Sequence, residues 1–256
     1  MANFQPRRCW QRLPSTFEWG LAFSRLYRRK RPPLNRLHTD TVFKVLHGLL
    51  MSNRPVGRWG RPMCSGCGAT PVDTNHALFC SAHAAAMMWF WATAQSLAPF
   101  EHLDRSVGSI LGGYAPCEAL SGFSGRAYVW EVLRVSFISV LYRLWLRASI
   151  SVQHEGGQGV FYEARHIILS TISNIRLTIT LDARRARTGV RCIQRDGQLV
   201  ERNRFLGFFN GSWLESGWAS PSHSPRIGIN FPVQLDIVGL RPIRITSSES
   251  YFGFTY

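Results

Sequence analysis

The chain has 256 residues, of which 45% are hydrophobic, and a formal net charge of +15 at pH 7. This length accommodates one larger domain or two small ones, and the hydrophobic content is sufficient for a core. Six cysteines in a chain of this length exclude the disulfide framework of a small secreted domain and are more typical of an intracellular metal site. The positive charge predicts an acidic partner.

The positive charge is concentrated in two parts of the chain. Residues 1–61 have a net charge of +11 and residues 184–204 a net charge of +5, whereas residues 62–183 and 205–256 are almost neutral. Arginine supplies nearly all of this charge, and its guanidinium binds phosphates bidentately and stacks on bases. We therefore expect RNA or DNA as the partner, bound with little sequence specificity.

The sequence predicts no signal peptide and no membrane span. The first residues, MANFQPRRCWQRL, lack a long apolar segment. The most apolar stretch, 129–150, is interrupted by four charged residues: Glu131, Arg134, Arg143 and Arg147. We therefore expect an intracellular protein and, from its basic N-terminus, a nuclear one.

Residues 1–37 form a basic arm with interleaved aromatic residues. We predict a short helix over Phe17 to Tyr27, which the following RRKRPP segment ends because proline cannot continue a helix. Two interpretations stay open for this arm: a solvated tail or nuclear-import signal, and contact with phosphates. The candidates for phosphate contact are Arg28, Arg29 and Arg31.

The next helix is predicted over Thr41 to Met51, with Asp40 as its N-terminal cap and an apolar stripe that includes Val42 and Leu46. A basic loop follows. Its candidates for nucleic-acid contact are Arg54, Arg58, Trp59 and Arg61. Two interpretations stay open for the tryptophan: stacking on an unpaired base, and packing over the neighbouring cysteine turn.

The stretch from Cys64 to Cys80 has the spacing C-x2-C-x8-H-x3-C. Thiolate sulfur and imidazole nitrogen are the ligands that zinc prefers, and a structural zinc site takes four of them. Cys64 and Cys67 lie on a predicted turn, while His76 and Cys80 are four residues apart and so share one face of a predicted helix. The pattern predicts one Zn²⁺ bound by these four residues. Two alternatives stay open: cysteines that only pack in the core, and His83 as a replacement ligand.

Three longer helices are predicted from apolar periodicity. They span Asn75 to about Ser96, Gly125 to about Ile150, and Phe161 to about Arg187. The second is apolar nearly all round and is therefore predicted to be buried. The third contains a run of β-branched residues, so part of it could instead be a strand. The main core is expected within residues 40–183, with four large buried side chains: Trp89, Trp130, Leu141 and Trp145.

After about residue 189 the periodicity fades, and residues 205–256 show no core that they could join. A second candidate nucleic-acid patch lies just before this point: Arg184, Arg185 and Arg187. We predict a mainly α fold, in which a small zinc-knuckle-plus-helix module packs with two or three further helices and an irregular C-terminal tail follows. Its parts are a basic N-terminal arm (1–37), a CCHC zinc-binding helical module (38–102), a linker (103–124), a helical segment (125–187), and a basic block with a poorly ordered tail (188–256).

The context of the cysteine–histidine stretch resembles a known family. The similar segments are FKVLHGLL at 43–50, RWG at 58–60, CSGC followed by glycine, HALFC, and Trp89. Over about residues 36–95 they resemble the zinc-binding domain that follows reverse transcriptase in LINE-type (non-LTR) retrotransposon polyproteins. The later segment YRLWLRASI resembles the helical segment downstream of that domain. The family usually spaces its histidine and last cysteine by four residues, and here there are three.

This resemblance implies a C-terminal fragment of such a polyprotein, with Zn²⁺ held by Cys64, Cys67, His76 and Cys80. In the family, this region is thought to help hold template RNA or target DNA while the polymerase copies it. The polymerase portion of the same element is then a further expected partner.

No enzymatic activity is predicted. Polymerases hold two metal ions between paired carboxylates, and the chain has no Asp-Asp pair. It also has neither the Pro-Asp dipeptide of the downstream endonucleases nor a GxxxxGK[ST] phosphate loop. Two interpretations stay open beside nucleic-acid binding: a structural or protein-interaction fragment with a purely structural zinc, and a degenerate transposon remnant.

Overall fold

A computed structural model describes residues 18–26, 36–47, 64, 67, 74–96, 107–112, 125–154, 163–188, 191–195, 198–202, 204–220 and 228–229. They are mainly helical, which confirms the predicted mainly α fold. The α-helices are α1 (Trp19–Leu26), α2 (Arg36–Leu46), α3 (Thr74–Phe79), α4 (Ala84–Gln95), α5 (Val107–Leu111), α6 (Gly125–His154), α7 (Ala164–Thr188) and α8 (Arg204–Phe209). The strands form two antiparallel pairs: β1 (Arg191–Arg195) with β2 (Gln198–Arg202), and β3 (Ala219–Ser220) with β4 (Gly228–Ile229).

Helix α6 lies at the centre of the fold. Its residues 127–142 are all buried, because the helix is apolar nearly all round and most of the other helices pack against it. Burial is confirmed for the four large side chains predicted to lie inside, each with 3% or less of its surface exposed: Trp89, Trp130, Leu141 and Trp145. The core predicted within residues 40–183 is therefore present.

Helix α7 is continuous, so its β-branched residues do not form a strand. Five isoleucines, an adjacent pair followed by three at spacings of three or four residues, are buried where α7 packs against the core: Ile167, Ile168, Ile172, Ile175 and Ile179. Fully burying an isoleucine is worth about 1.5–3 kcal/mol, whereas β-branching lowers helix propensity by less than about 0.7 kcal/mol. The free energy gained by burying these isoleucines therefore outweighs the low helix propensity of β-branched residues.

Helix α2 begins at Arg36, earlier than predicted, so the assignment of Asp40 as its N-terminal cap is wrong. Asp40 lies inside the helix, where its carboxylate is 3.8 Å from the guanidinium of Arg36 one turn earlier. The predicted apolar stripe is present, since Val42 and Leu46 are buried. The predicted end of the helix at Met51 lies outside the described residues.

One helical stretch among the described residues, Asn75–Gln95, is long and apolar enough to cross a membrane by length and composition. However, 56% of the tested window is buried inside the protein, and the core helix of a soluble protein passes the same test. The stretch is therefore weak evidence for a membrane span.

A buried arginine of α6, paired with a glutamate of the same helix, joins α6 to α5. Arg134 is fully buried, and its guanidinium donates to Oε2 of Glu131 at 2.6 Å and to the Ile110 carbonyl at 3.0 Å. Gly112, just after α5, has a φ of +82°, and a Cβ there would lie 2.8 Å from the guanidinium carbon. Only glycine fits this turn. The segment predicted as a linker thus contains a short helix with a fixed contact to the core.

Residues 204–220 belong to the core, so the prediction that residues after 205 have no core to join is wrong for this part. Helix α8 continues into a π-helical turn, Asn210–Leu214, and three aromatic side chains are buried here: Phe209, Trp213 and Trp218. The turn packs directly on the first residue of α6, where a Cβ on Gly125 would overlap the Gly211 carbonyl. Glycine at the start of α6 therefore permits this close approach.

A buried carboxylate holds this segment in place. Asp182 of α7 accepts hydrogen bonds from the Tyr128 hydroxyl of α6 at 2.8 Å and from the Trp213 indole at 3.1 Å. Its other oxygen accepts from Arg185 at 3.0 Å. Burial raises the pKa of Asp182, while these three donors favour the ionised form. Asp182 thus links α6, α7 and the C-terminal segment.

A second buried polar contact links α2, α6 and α7. Nδ1 of His38 lies 2.8 Å from the Ser139 hydroxyl, and both side chains are buried. Burial, together with the nearby charge of Arg143, lowers the pKa of His38 to about 4, and a hydrogen bond with Asn174 offsets part of this shift. His38 is therefore neutral at physiological pH.

We predict that Asp182→Ala lowers the free energy of unfolding by about 3 kcal/mol, because it removes the acceptor that a buried hydroxyl and a buried indole N–H share. Chemical denaturation measures this loss. The matched control is Asp40→Ala, whose ion pair with the exposed Arg36 should contribute less than about 1 kcal/mol. Equal losses in the two variants would contradict the role of Asp182.

The stability of the protein should fall as the pH drops from about 6.5 to about 4. The folded-state pKa of His38 is lowered, so the unfolded chain binds the proton more readily and stability is lost as His38 is titrated. Between pH 7 and pH 4 the wild type should lose about 3 kcal/mol more than His38→Asn. All other titratable groups are the same in the two proteins, so their contributions cancel when the loss of stability of the variant is subtracted from that of the wild type. Parallel pH profiles would refute the prediction.

Candidate metal centre

The single helix predicted over residues 75–96 is broken at Cys80. Helix α3 ends at Phe79, Cys80 has an extended backbone with φ −59° and ψ 143°, and a 3-10 turn, Ser81–His83, leads into α4. The prediction that His76 and Cys80 lie on one face of a continuous helix is therefore wrong. His76 lies on α3, whereas Cys80 projects from the extended residue after it.

The four predicted ligands nevertheless come together. The sulfur atoms of Cys64, Cys67 and Cys80 and a ring nitrogen of His76 all lie within 4.8 Å of one another. The sulfurs of Cys64 and Cys80 are 3.7 Å apart, and the Cys67 sulfur is 3.2 Å from Nε2 of His76. The two pairs form one compact cluster that can hold a metal ion.

The distances in this cluster fit a four-coordinate ion better than packing alone. Two sulfur ligands at about 2.3 Å from a tetrahedral ion lie about 3.8 Å from each other. The observed separation of Cys64 and Cys80 is 3.7 Å, which is too long for a disulfide. Cysteines that only fill a core need no histidine nitrogen beside them. The donor set therefore matches a metal site.

The burial of the cluster affects the charge of its thiols. Cys64 and Cys80 are buried, Cys67 is exposed, and His76 is half-buried. Burial, reinforced by the neighbouring thiols, raises the pKa of Cys80 to about 11. A bound cation reverses this preference, because it deprotonates a coordinating thiol. Metal binding here is therefore coupled to proton release.

His83, the alternative ligand, lies outside the cluster. Its side chain is buried, and Nδ1 lies 3.2 Å from the Leu78 carbonyl near the end of α3. Burial lowers the pKa of His83, and this hydrogen bond offsets part of the shift. Carbonyls in the last turn of a helix lack intrahelical partners, and His83 bonds to one of them. His83 thus stabilises the helix end at which the chain breaks and Cys80 turns towards the site.

Only three of the predicted nucleic-acid contacts lie within the described residues. Those outside are Arg28, Arg29, Arg31, Arg54, Arg58, Trp59 and Arg61. Arg184 and Arg187, near the end of α7, are exposed. Arg185 between them is only half-exposed, because its guanidinium pairs with the buried Asp182 at 3.0 Å. The described part of this patch therefore presents two exposed arginines, and sequence periodicity gave no sign of the ion pair.

Comparisons with protein-family models, with curated proteins and with solved structures find no match. The resemblance to the retrotransposon zinc-binding domain therefore stays a prediction that rests on the residues quoted for it. The evidence for the metal cluster is independent of this resemblance, because it comes from the distances between the four ligand atoms.

We predict that the chain binds one metal ion and that Cys80→Ser lowers its metal affinity by more than about 100-fold, since losing even an outer partner of a metal ligand costs 10–100-fold. Elemental analysis of the purified chain and competition with a chelator measure stoichiometry and affinity. Cys192→Ser is the matched control, because Cys192 is not part of the C-x2-C-x8-H-x3-C spacing. A wild type without metal, or equal losses in both variants, would contradict the site.

Proposed function

We propose that the chain is a zinc-stabilised nucleic-acid-binding module of a retrotransposon reverse-transcriptase polyprotein. The observation that supports it most is the convergence of Cys64, Cys67, His76 and Cys80, whose ligand atoms lie within 4.8 Å of one another. Three thiolates and one imidazole are soft and borderline ligands that select zinc over magnesium or calcium. With four protein ligands no open position remains, so the zinc has a structural and not a catalytic role.

The distribution of charge supports nucleic acid as the partner. The basic loop with Arg54, Arg58 and Arg61 directly precedes the first zinc ligand, Cys64. A metal bound by Cys64 restrains the chain next to it, so we expect the same ion that stabilises the fold to restrain these arginines. Arginine–phosphate contacts position a nucleic acid but convey no base information. We therefore propose binding of RNA or DNA with little sequence specificity.

A structural or protein-interaction role is the second candidate. It is favoured by three leucines that are more than a third exposed: Leu177 and Leu181 on α7, and Leu206 on α8. The first two are one helical turn apart, and α8 packs against α7. Apolar side chains exposed near one another are typical of protein contact surfaces.

A salt series separates these two functions. If arginines neutralise phosphates, the logarithm of the binding constant falls linearly with the logarithm of salt concentration, with a slope near −0.7 per contact on single strands. Replacing Arg54, Arg58 and Arg61 together by glutamine should flatten that slope by about 2 and weaken unrelated sequences equally. Fluorescence anisotropy with the zinc-loaded chain and labelled RNA and DNA strands measures both effects.

The matched control replaces Arg226, Arg241 and Arg244 by glutamine, which removes the same charge from the neutral part of the chain. This control should keep the wild-type slope. Nucleic-acid binding that does not depend on salt concentration, or no binding at low salt with zinc present, would favour the structural or protein-interaction function. Equal losses in both triple variants would show that net charge alone, and not the basic loop, is responsible.

A further inference from the structure

The four residues of the metal cluster differ in their access to solvent. Cys64 and Cys80 are buried, with 1% and 4% of their surface exposed, whereas His76 is half-buried and Cys67 is exposed. The Cys67 sulfur nevertheless belongs to the cluster, since it lies 3.2 Å from Nε2 of His76 and within 4.8 Å of the other ligand atoms. Among the three sulfurs of the cluster, Cys67 is therefore the one that a small molecule in solution reaches most directly.

An exposed cysteine that binds a metal ion is open to oxidation. The thiolate is the reactive form of cysteine, and a bound cation keeps its coordinating sulfurs in that form. Susceptibility to peroxides follows thiolate character and exposure. In the metal-bound cluster all three sulfurs share the first property, but Cys67 alone among them has the second. Hydrogen peroxide, a two-electron oxidant, is therefore expected to react first at Cys67.

The two buried sulfurs lie close enough to complete the reaction. Redox-sensing cysteines are typically exposed and lie beside a second cysteine that reacts with the first oxidation product. The sulfurs of Cys64 and Cys80 are both within 4.8 Å of the Cys67 sulfur. Because a disulfide bond is about 2.05 Å long, a displacement of less than about 3 Å brings either of them to bonding distance.

From this arrangement we infer that the metal cluster is also a peroxide-sensitive switch, in which Cys67 is the residue that is oxidised. The Cys67 thiolate attacks one oxygen of hydrogen peroxide, the O–O bond breaks, and hydroxide leaves while Cys67 becomes a sulfenic acid. The thiolate of Cys64 or Cys80 then attacks the Cys67 sulfur, the S–O bond breaks, and a second hydroxide leaves as the disulfide forms. The two sulfurs have then lost the two electrons that the peroxide gained.

The disulfide removes two of the four ligands from the site. His76 and one thiolate remain, which is too few for a structural zinc site. The site then releases its ion, and α3, whose six residues are too few to be stable alone, loses its link to the cysteines. Since the basic loop directly precedes Cys64, oxidation should also weaken nucleic-acid binding. This inference rests on the metal site of the proposed function and adds the regulation of that site.

The test treats the zinc-loaded full chain with hydrogen peroxide. A chromogenic chelator measures released zinc, mass spectrometry of the digested protein identifies disulfides, and amide hydrogen exchange measures local opening. The wild type should release its zinc, form a disulfide that contains Cys67, and exchange amides faster in α3 while α6 stays protected. Reduced glutathione should restore zinc binding, because thiol exchange reopens the disulfide.

Two variants separate oxidation of Cys67 from a general effect of changing a ligand. Cys67→His keeps four ligands, two cysteines and two histidines, which is an established zinc-binding set, but it lacks the exposed thiolate. It should therefore keep its zinc at a peroxide concentration that empties the wild type. His76→Cys is the matched control, because it also exchanges one ligand but keeps Cys67. It should lose its zinc at least as readily as the wild type.

A disulfide that joins Cys64 to Cys80 without Cys67 would overturn the switch, as would zinc that stays bound to the wild type under peroxide. Equal zinc release from Cys67→His and the wild type would also overturn it. If Cys67→His does not fold, the disulfide found in the wild type decides the question by itself. A wild type that binds zinc and nucleic acid but resists peroxide leaves the proposed function intact. A wild type that binds no zinc overturns both.

Discussion

The burial of α6 on every side is the constraint on which the rest of the fold depends. Sixteen consecutive residues, 127–142, are buried, so no face of this part of the helix is left to water. Such a helix is stable only when other elements cover it completely. The packing of α2, α3, α5, α7 and the C-terminal π-helical turn around α6 meets this requirement.

Apolar packing alone hardly distinguishes between different rotations of α6 about its axis, because the helix is apolar nearly all round. Three buried polar contacts select one rotation. Tyr128 donates to Asp182 of α7, Arg134 to the end of α5, and Ser139 pairs with His38 of α2. At about 100° per residue, Arg134 lies roughly 120–140° around the axis from the other two. A rotated α6 would leave these groups buried without partners, which costs about 1–3 kcal/mol for each.

Apolar periodicity was sufficient to predict α6, α7 and the main core, because burial determines them. It was insufficient where a single polar or extended residue determines the structure. The break between α3 and α4 depends on the extended backbone of Cys80. The position of residues 204–220 depends on Asp182, whose partners Trp213 and Tyr128 are 31 and 54 positions away in the chain. The β1–β2 hairpin had a local signal that was missed: its strands are separated by Asp196 and Gly197, a dipeptide favoured in two-residue hairpin turns. The four metal-cluster residues were predicted because cysteine and histidine spacing is itself chemical information.

The metal site and the core support each other through α3. This helix has six residues, too few to be stable in isolation. Its Ala77 and Leu78 are fully buried, and it packs against α6, so one face is stabilised by the core. His76 on the same short helix belongs to the metal cluster, where a bound ion would link it to Cys64 and Cys67. Because none of the four cluster residues lies on α6 or α7, we expect loss of the ion to loosen α3, while the contacts between α6 and α7 remain.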